Sequence, residues 1–173
     1  MRIRKRGRMI YVGIDPGLTG AVAVIDADGA VELCDSPWWE LKAKKGVQRD
    51  YNANGMAEII SGVIARASNR GSIVAGLEKV HSMPEQGVAS SFKFGVGLGI
   101  WQGILAAFGI QYQLIPPQRW KKALMDGMGK EKDASLIVAQ RLFPTADLRL
   151  RKHHGRADAL LLAEFMRRST NGL

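Results

Sequence analysis

A single α/β domain is predicted, with a mixed five-stranded sheet made of three antiparallel strands and then parallel additions, flanked by helices. Three features of the chain predict it. An apolar strand and a hairpin open the sequence, two later apolar runs alternate with helical patterns, and 173 residues suffice for one ordinary core but not for two. Residues 9–170 are expected to form the domain. Residues 1–8, with Arg2, Arg4, Lys5, Arg6 and Arg8, are expected to be a disordered basic extension.

The first strand, Met9-Ile10-Tyr11-Val12, runs into Gly13-Ile14-Asp15-Pro16-Gly17-Leu18-Thr19-Gly20, a tight turn that leaves Asp15 at the end of a buried strand. A carboxylate there needs a cation or a hydrogen-bond donor to offset its desolvation. Residues 21–25 and 30–34 flank Asp26-Ala27-Asp28-Gly29 and form a hairpin. Residues 35–54 are polar and mixed and are expected to be a mobile loop. Their Trp38, Trp39, Lys42, Lys44 and Lys45 suit either nucleic-acid contact or, for the tryptophans, plugging a core edge.

Met56, Ile59, Ile60, Val63, Ile64 and Ala67 recur at helical spacing, with Asn52 or Asn54 as cap. Residues 72–77 form a buried strand delivering Glu78 at its end. If this strand lies parallel to the first, Asp15 and Glu78 sit side by side at the carboxyl edge of the sheet. A helix over 89–108 carries Gly95, Gly99, Gly103 and Ala107 every four residues, a side-chain-free row that either packs on its own sheet or receives a partner helix. Residues 110–115 make the last strand, and Pro116-Pro117 opens a short basic helix, Gln118-Arg119-Trp120-Lys121-Lys122. A basic turn, Gly127-Met128-Gly129-Lys130-Glu131-Lys132, lacks the spacing of a Walker A loop. Ala134, Ile137, Val138 and Leu142 predict the inner face of one helix, and a closing helix over 156–168 turns Ala157, Leu160, Leu161 and Phe165 inward.

Asp158 lies in an otherwise apolar stretch of that closing helix, with His154 one turn earlier on the same face. Asp15, Glu78 and Asp158 thus offer oxygen ligands from two strand ends and one helix, the donor set that Mg²⁺ or Mn²⁺ prefers. Two such ions hydrolyse a phosphodiester without a protein nucleophile. No Gly-x-Ser-x-Gly elbow, His-Glu-x-x-His helix or cysteine cluster competes.

Gly13-Ile14-Asp15-Pro16-Gly17, Leu77-Glu78-Lys79-Val80, Pro117-Gln118-Arg119-Trp120-Lys121 and Ala157-Asp158-Ala159-Leu160, in this order and at these intervals, resemble the RuvC family of Holliday-junction resolvases. The resemblance runs from Met9 to Arg168. It implies an RNase H-like fold, a homodimer and paired, Mg²⁺-dependent nicking of four-way DNA junctions with two ions per site. By it, Asp15, Glu78 and Asp158 hold metal, and Lys121 and Lys132 act on DNA phosphate or the transition state. Arg119, Lys122, Lys130 and His81 complete the expected DNA contacts, and Gly95, Gly99, Gly103 and Ala107 the dimer helix. Two departures stand out. Gly155 replaces a further Asp found in many members, leaving His154 or His153 to substitute, with some preference for Mn²⁺. His81 stands where the family has a junction-wedging aromatic residue, leaving Phe92, Phe94 or Trp38 as candidates.

The net charge of +9, falling to +4 over residues 9–173, fits a polyanionic partner. The lone Cys34 excludes an intrachain disulfide and suits a reducing compartment, here the cytoplasm of a bacterium or a phage-infected cell. Residues 94–118 contain no charge, but Gly109 and Pro116-Pro117 divide them into a helix and a strand, so no membrane span is expected. Other readings share parts of the pattern. A nuclease for RNA-DNA hybrids or flaps would use the same acids, and a catalytically silent junction-binding protein the same charge. A sugar-kinase-like ATPase shares the Gly-Ile-Asp-x-Gly-x-Thr turn but needs a second domain.

Overall fold

Alternation of side chains along the central strands decides which layer each residue joins. The computed structural model describes residues 8–42, 46–79, 87–128 and 133–172. In strands β1 (Ile10–Ile14) and β2 (Ala21–Ile25), Tyr11, Ala21, Ala23 and Ile25 face one core, while Ile10, Val12, Ile14, Val22 and Val24 face the other. Strand β3 (Val31–Asp35) completes an antiparallel meander, and two parallel strands, β6 (Ile73–Glu78) and β7 (Gln111–Ile115), extend the sheet on the other side of β1. The strand order is β3-β2-β1-β6-β7, the predicted mixed sheet.

Helices α1 (Ala53–Arg66) and α2 (Val88–Ala107) cover one face of the sheet through Met56, Ile60, Val63, Trp101 and Leu105. Asn52 caps α1, its Oδ1 accepting from the Gly55 amide at 2.9 Å. On the other face lie α3 (Pro117–Leu124), α4 (Ala134–Leu142) and α5 (His154–Asn171). Nearly every residue of α5 from Ala157 to Met166 is buried, because the helix is held between the sheet and α4.

Two glycines let α5 sit that low. Gly13 and Gly76 are cross-strand partners in β1 and β6. A Cβ on Gly13 would strike the Ala159 carbonyl and the Ala163 amide, and one on Gly76 would meet Met166 Cγ at 2.7 Å. At Gly13 backbone rests on backbone, the close approach that only glycine permits, while over Gly76 the Met166 and Leu162 side chains fill the space a Cβ would take.

Two expectations need correction, and one open alternative is decided. Residues 35–54 are not a loop: β4 (Trp38–Lys42) and β5 (Val47–Tyr51) form an antiparallel ribbon. A two-stranded ribbon is marginal alone, and this one is anchored at its base. Buried Tyr51 donates its hydroxyl to the Pro16 carbonyl at 3.1 Å, and the Asn52 amide donates to the Pro37 carbonyl at 3.1 Å. The inner face of α4 is only partly the predicted one: Ala134 and Val138 are buried as expected, but Leu136 and Ala139 join them, Ile137 is half-buried and Leu142 is exposed. Finally, Gly95, Gly99 and Gly103 do not pack on their own sheet. A Cβ at any of them would meet nothing within 4 Å, while Gly97 on the opposite face presses on Tyr51 and the Pro16 carbonyl. Ala107 is likewise exposed.

Gly13→Ala should therefore lower unfolding free energy by about 3 kcal/mol. Gly99→Ala, entering open space in a helix, should leave it unchanged or raise it by about 1 kcal/mol. Urea denaturation of the two variants checks the contrast.

Candidate active site

Side-chain alternation carries the glycine floor directly into chemistry. Asp15 and Glu78 each lie two residues beyond a floor glycine, so both leave their strands on the α5 side of the sheet. Parallel pairing of β1 and β6, with Ile14 opposite Leu77, sets the two acids next to each other at the carboxyl edge, as predicted. Asp158 precedes Ala159, the residue that rests on Gly13. One contact thus fixes the helix and the height of its carboxylate.

The turn after β1 is tied by Asp15 N donating to the Ala21 carbonyl at 3.0 Å and Gly20 N to the Gly17 carbonyl at 2.9 Å. Asp15 Oδ1 accepts from the Gly17 amide at 3.1 Å. Glu78 Oε1 accepts from the indole Nε1 of Trp120 at 3.1 Å. Oδ1 of Asp158 is buried without a hydrogen-bond partner among the described residues. An orphaned carboxylate oxygen beside two other acids needs a counter-charge.

The three acids feel one another. Burial, and then the Asp158 charge, push the Asp15 carboxyl up to about 6 against the Gly17 amide and Lys121. Burial, with the charges of Asp15 and Asp158, pushes Glu78 up to about 7, opposed by the Trp120 N–H and Lys121. Burial also raises Asp158, with Ser135, Lys121 and His154 acting the other way. Lys121 opposes the rise at all three and is the cation common to the cluster. As they stand, no three acidic, imidazole or thiol groups among the described residues are drawn tightly enough to grip an ion. The donor chemistry, all hard oxygens with one lacking a hydrogen-bond partner among the described residues, nonetheless fits Mg²⁺ or Mn²⁺.

The other expected site residues are distributed unevenly. His154 opens α5, its Nε2 3.2 Å from Asp133 Oδ1, and it is one of the groups that work against the rise at Asp158. His153 is buried, its Nδ1 without a partner among the described residues, and it lies toward Asp35 and Asp147 instead. Gly155 is explained by space: its Cβ would strike the Thr19 carbonyl and Gly20, so no side chain fits there. Lys121 and Lys122 are exposed on α3, whereas the Arg119 guanidinium lies over the Phe165 ring at 5.4 Å. His81, Lys130 and Lys132 lie outside the described residues.

Among the wedge candidates, Phe94 lies against Gly17, Phe92 is 72% exposed, and Trp38 is covered by Arg49 at 4.0 Å. Sequence reasoning missed Asp133 and Ser135. Asp133 directly precedes a helix and reads as a cap, yet it makes no capping bond and pairs with Arg151 and His154. Nothing local signals that. A separate cavity of about 430 Å³, at the opposite edge of the sheet, is bordered by the Arg8–Asp28 and Arg66–Glu32 ion pairs.

No family model matches the sequence. Over 83 residues, 47% of this chain, it is 41% identical to "Holliday junction resolvase MOC1, chloroplastic" of Chlamydomonas reinhardtii, of whose length the match covers 9%. The structure of Thermus thermophilus RuvC aligns with a TM-score of 0.58 at 17% identity, over 94% of this chain and 97% of that one. T. thermophilus RuvC in complex with Holliday junction substrate aligns with a TM-score of 0.59 at 16% identity, over 93% and 96%. The chain has the fold of RuvC, an RNase H-like sheet with its helices on both faces.

Proposed function

We propose that the protein is a divalent-metal-dependent endonuclease that resolves four-way DNA junctions by paired, symmetric phosphodiester hydrolysis, acting as a homodimer. What carries this reading is the meeting of Asp15, Glu78 and Asp158 on one face of a sheet whose fold is that of RuvC, with an orphaned oxygen on Asp158. The resolvase name of the relative that matches half the chain, and the junction complex of the structural neighbour, support the choice of substrate.

Asp15, Glu78 and Asp158 would hold the ions, with His154 at the edge of the set. Bound Mg²⁺ or Mn²⁺ supplies Lewis-acid chemistry: a more acidic water and charge neutralisation at the scissile phosphate and leaving 3′ oxygen. Lys121, exposed and within electrostatic reach of all three acids, attracts the phosphate to their mouth. Lys122, beside it on α3, extends the basic track. Lys130, Lys132 and His81 are proposed as further DNA contacts.

The second active site would come from a second copy. Val88 and Phe92, 87% and 72% exposed, lead into the open row at Gly95, Gly99, Gly103 and Ala107 on the same helix. Bare backbone beside exposed apolar side chains suits close helix-helix contact, and a two-fold pair of sites suits a junction with two equivalent strands.

Labelled four-way junction, incubated with Mg²⁺ or Mn²⁺ and resolved on a denaturing gel, should yield symmetric nicks that chelator abolishes. Asp15→Asn and Asp158→Asn should cut at least about 100-fold more slowly yet still shift the junction in a native gel. Preferential cutting of an RNA-DNA hybrid duplex would reject the substrate assignment, and undiminished nicking by both variants the metal ligands.

Gly99→Leu should leave the fold intact and convert dimer to monomer in sedimentation, with loss of paired nicking. A stable dimer would remove α2 from the interface.

Raised carboxyls also predict a pH effect. Between about pH 4 and 7 the folded protein retains protons on Asp15 and Glu78 that the unfolded chain has released, so stability falls as pH rises through this window. In metal-free protein Asp15→Asn should therefore be stabilising by about 1–2 kcal/mol at pH 8, a value reduced for the solvated rim, and neutral near pH 4. Thermal melts at both pH values read this directly, and added Mn²⁺ should stabilise only the unmodified protein at pH 8.

A further inference from the structure

Two tryptophans are fully buried, and their indole N–H groups fare differently. Nε1 of Trp101 finds no acceptor among the described residues, whereas Nε1 of Trp120 donates to Glu78 Oε1 at 3.1 Å. Among the described residues the core thus leaves one indole N–H unpaired. The Trp120 contact is not explained by a general need to satisfy the ring.

Its surroundings indicate what it does. Glu78 is paired with Ile115 at the end of β6 and β7, and the ladder runs one bond further, Lys79 N to the Ile115 carbonyl at 2.9 Å. The chain then turns at Pro116-Pro117 into α3, which drops Trp120 into the core beside α5. The Glu78 backbone is fixed by the sheet, but its side chain has three rotatable bonds and sits among like charges. A wholly buried indole has no such freedom. It offers one donor, cannot itself ligate a cation, and so holds a carboxylate oxygen without competing for metal.

We infer that Trp120 is a positioning residue for the metal-binding set, pinning Oε1 of Glu78 so that Oε2 is presented to a divalent cation. The inference rests on the metal-dependent reading of the site given above. On the next residue of the same helix turn, Lys121 places its ammonium 5.1 Å from the Trp120 ring while remaining exposed. One helix turn thus supplies a rigid donor to the ligand below and a mobile cation to the phosphate above. Since the indole orders Glu78 before metal arrives, losing it should weaken metal binding roughly tenfold, as for other groups that orient metal ligands.

Mn²⁺ titration by calorimetry, without DNA, tests this on the full chain. Trp120→Phe keeps an aromatic ring but removes the N–H; it should stay folded by circular dichroism and bind Mn²⁺ about tenfold more weakly. Trp101→Phe, whose lost N–H has no partner, should bind as the unmodified protein does. Unchanged Mn²⁺ affinity in folded Trp120→Phe would overturn the proposal.

A second measurement does not depend on that variant folding. In ¹⁵N-labelled protein, one of the four indole N–H resonances should move upfield when Glu78→Gln removes the charged acceptor. Four unmoved resonances would also overturn the proposal. Failure of the unmodified protein to bind Mn²⁺ at all would instead defeat the metal-dependent reading, and this inference with it.

Discussion

Contact of α5 with two sheet glycines, backbone on backbone at Gly13 and side chain on backbone at Gly76, governs the rest of this structure. Side chains at those positions would lift the helix off the sheet, and Asp158 would rise with it. Dense packing makes such a shift costly to absorb elsewhere. The same two residues set the phase of β1 and β6, so that Asp15 and Glu78, each two positions on, emerge beneath the helix rather than on the opposite face. Fold and site are therefore one constraint seen at different radii: whatever fixes the helix height also fixes the spacing of the acids.

That spacing is held against repulsion. Three carboxyls share a partly desolvated cleft, and at neutral pH their mutual charge opposes full ionisation. Burial of this kind is a cost to the fold, one that the cations of the proposed site would offset. The surrounding structure supplies what compensation it can: the Gly17 amide on Asp15, the Trp120 indole on Glu78, Ser135 near Asp158, and Lys121 before all three. None fully neutralises the cluster, and Oδ1 of Asp158 keeps no hydrogen-bond partner among the described residues.

The turn bearing Asp15 is also braced from outside. Tyr51, at the end of the β4–β5 ribbon, donates to the Pro16 carbonyl, and Gly97 of α2 presses on both. Ribbon, turn and helix α2 meet at this joint. In the proposed dimer, the helix facing the partner subunit would thus touch the backbone adjacent to a metal ligand through a single layer of atoms. The ribbon itself displays Trp39 and Leu41 to solvent, with Arg49 stacked on Trp38, so its apolar and cationic groups face outward rather than completing the core.

By itself the sequence determined the order and type of most elements, because periods of two and 3.6 with Gly-Pro punctuation are local signals. It placed Asp15 and Glu78 at strand ends and Asp158 on an apolar helix, and the parallel neighbourhood of the two strands followed from the α/β pattern. Only tertiary structure decided the rest. That Gly95, Gly99 and Gly103 face open space while Gly97 meets Tyr51 depends on how α2 is rotated, which an apolar helix with glycines all round does not encode. The β4–β5 ribbon escaped notice because its anchor, the Tyr51 hydroxyl on the Pro16 carbonyl, joins residues 35 positions apart in the chain. Asp133 reads locally as a cap, Trp120 as core and Gly155 as a missing acid. Their pairings with His154, with Glu78 and with the turn at Thr19 join segments far apart in the chain, and long-range distances of that kind are set by packing rather than by any local pattern.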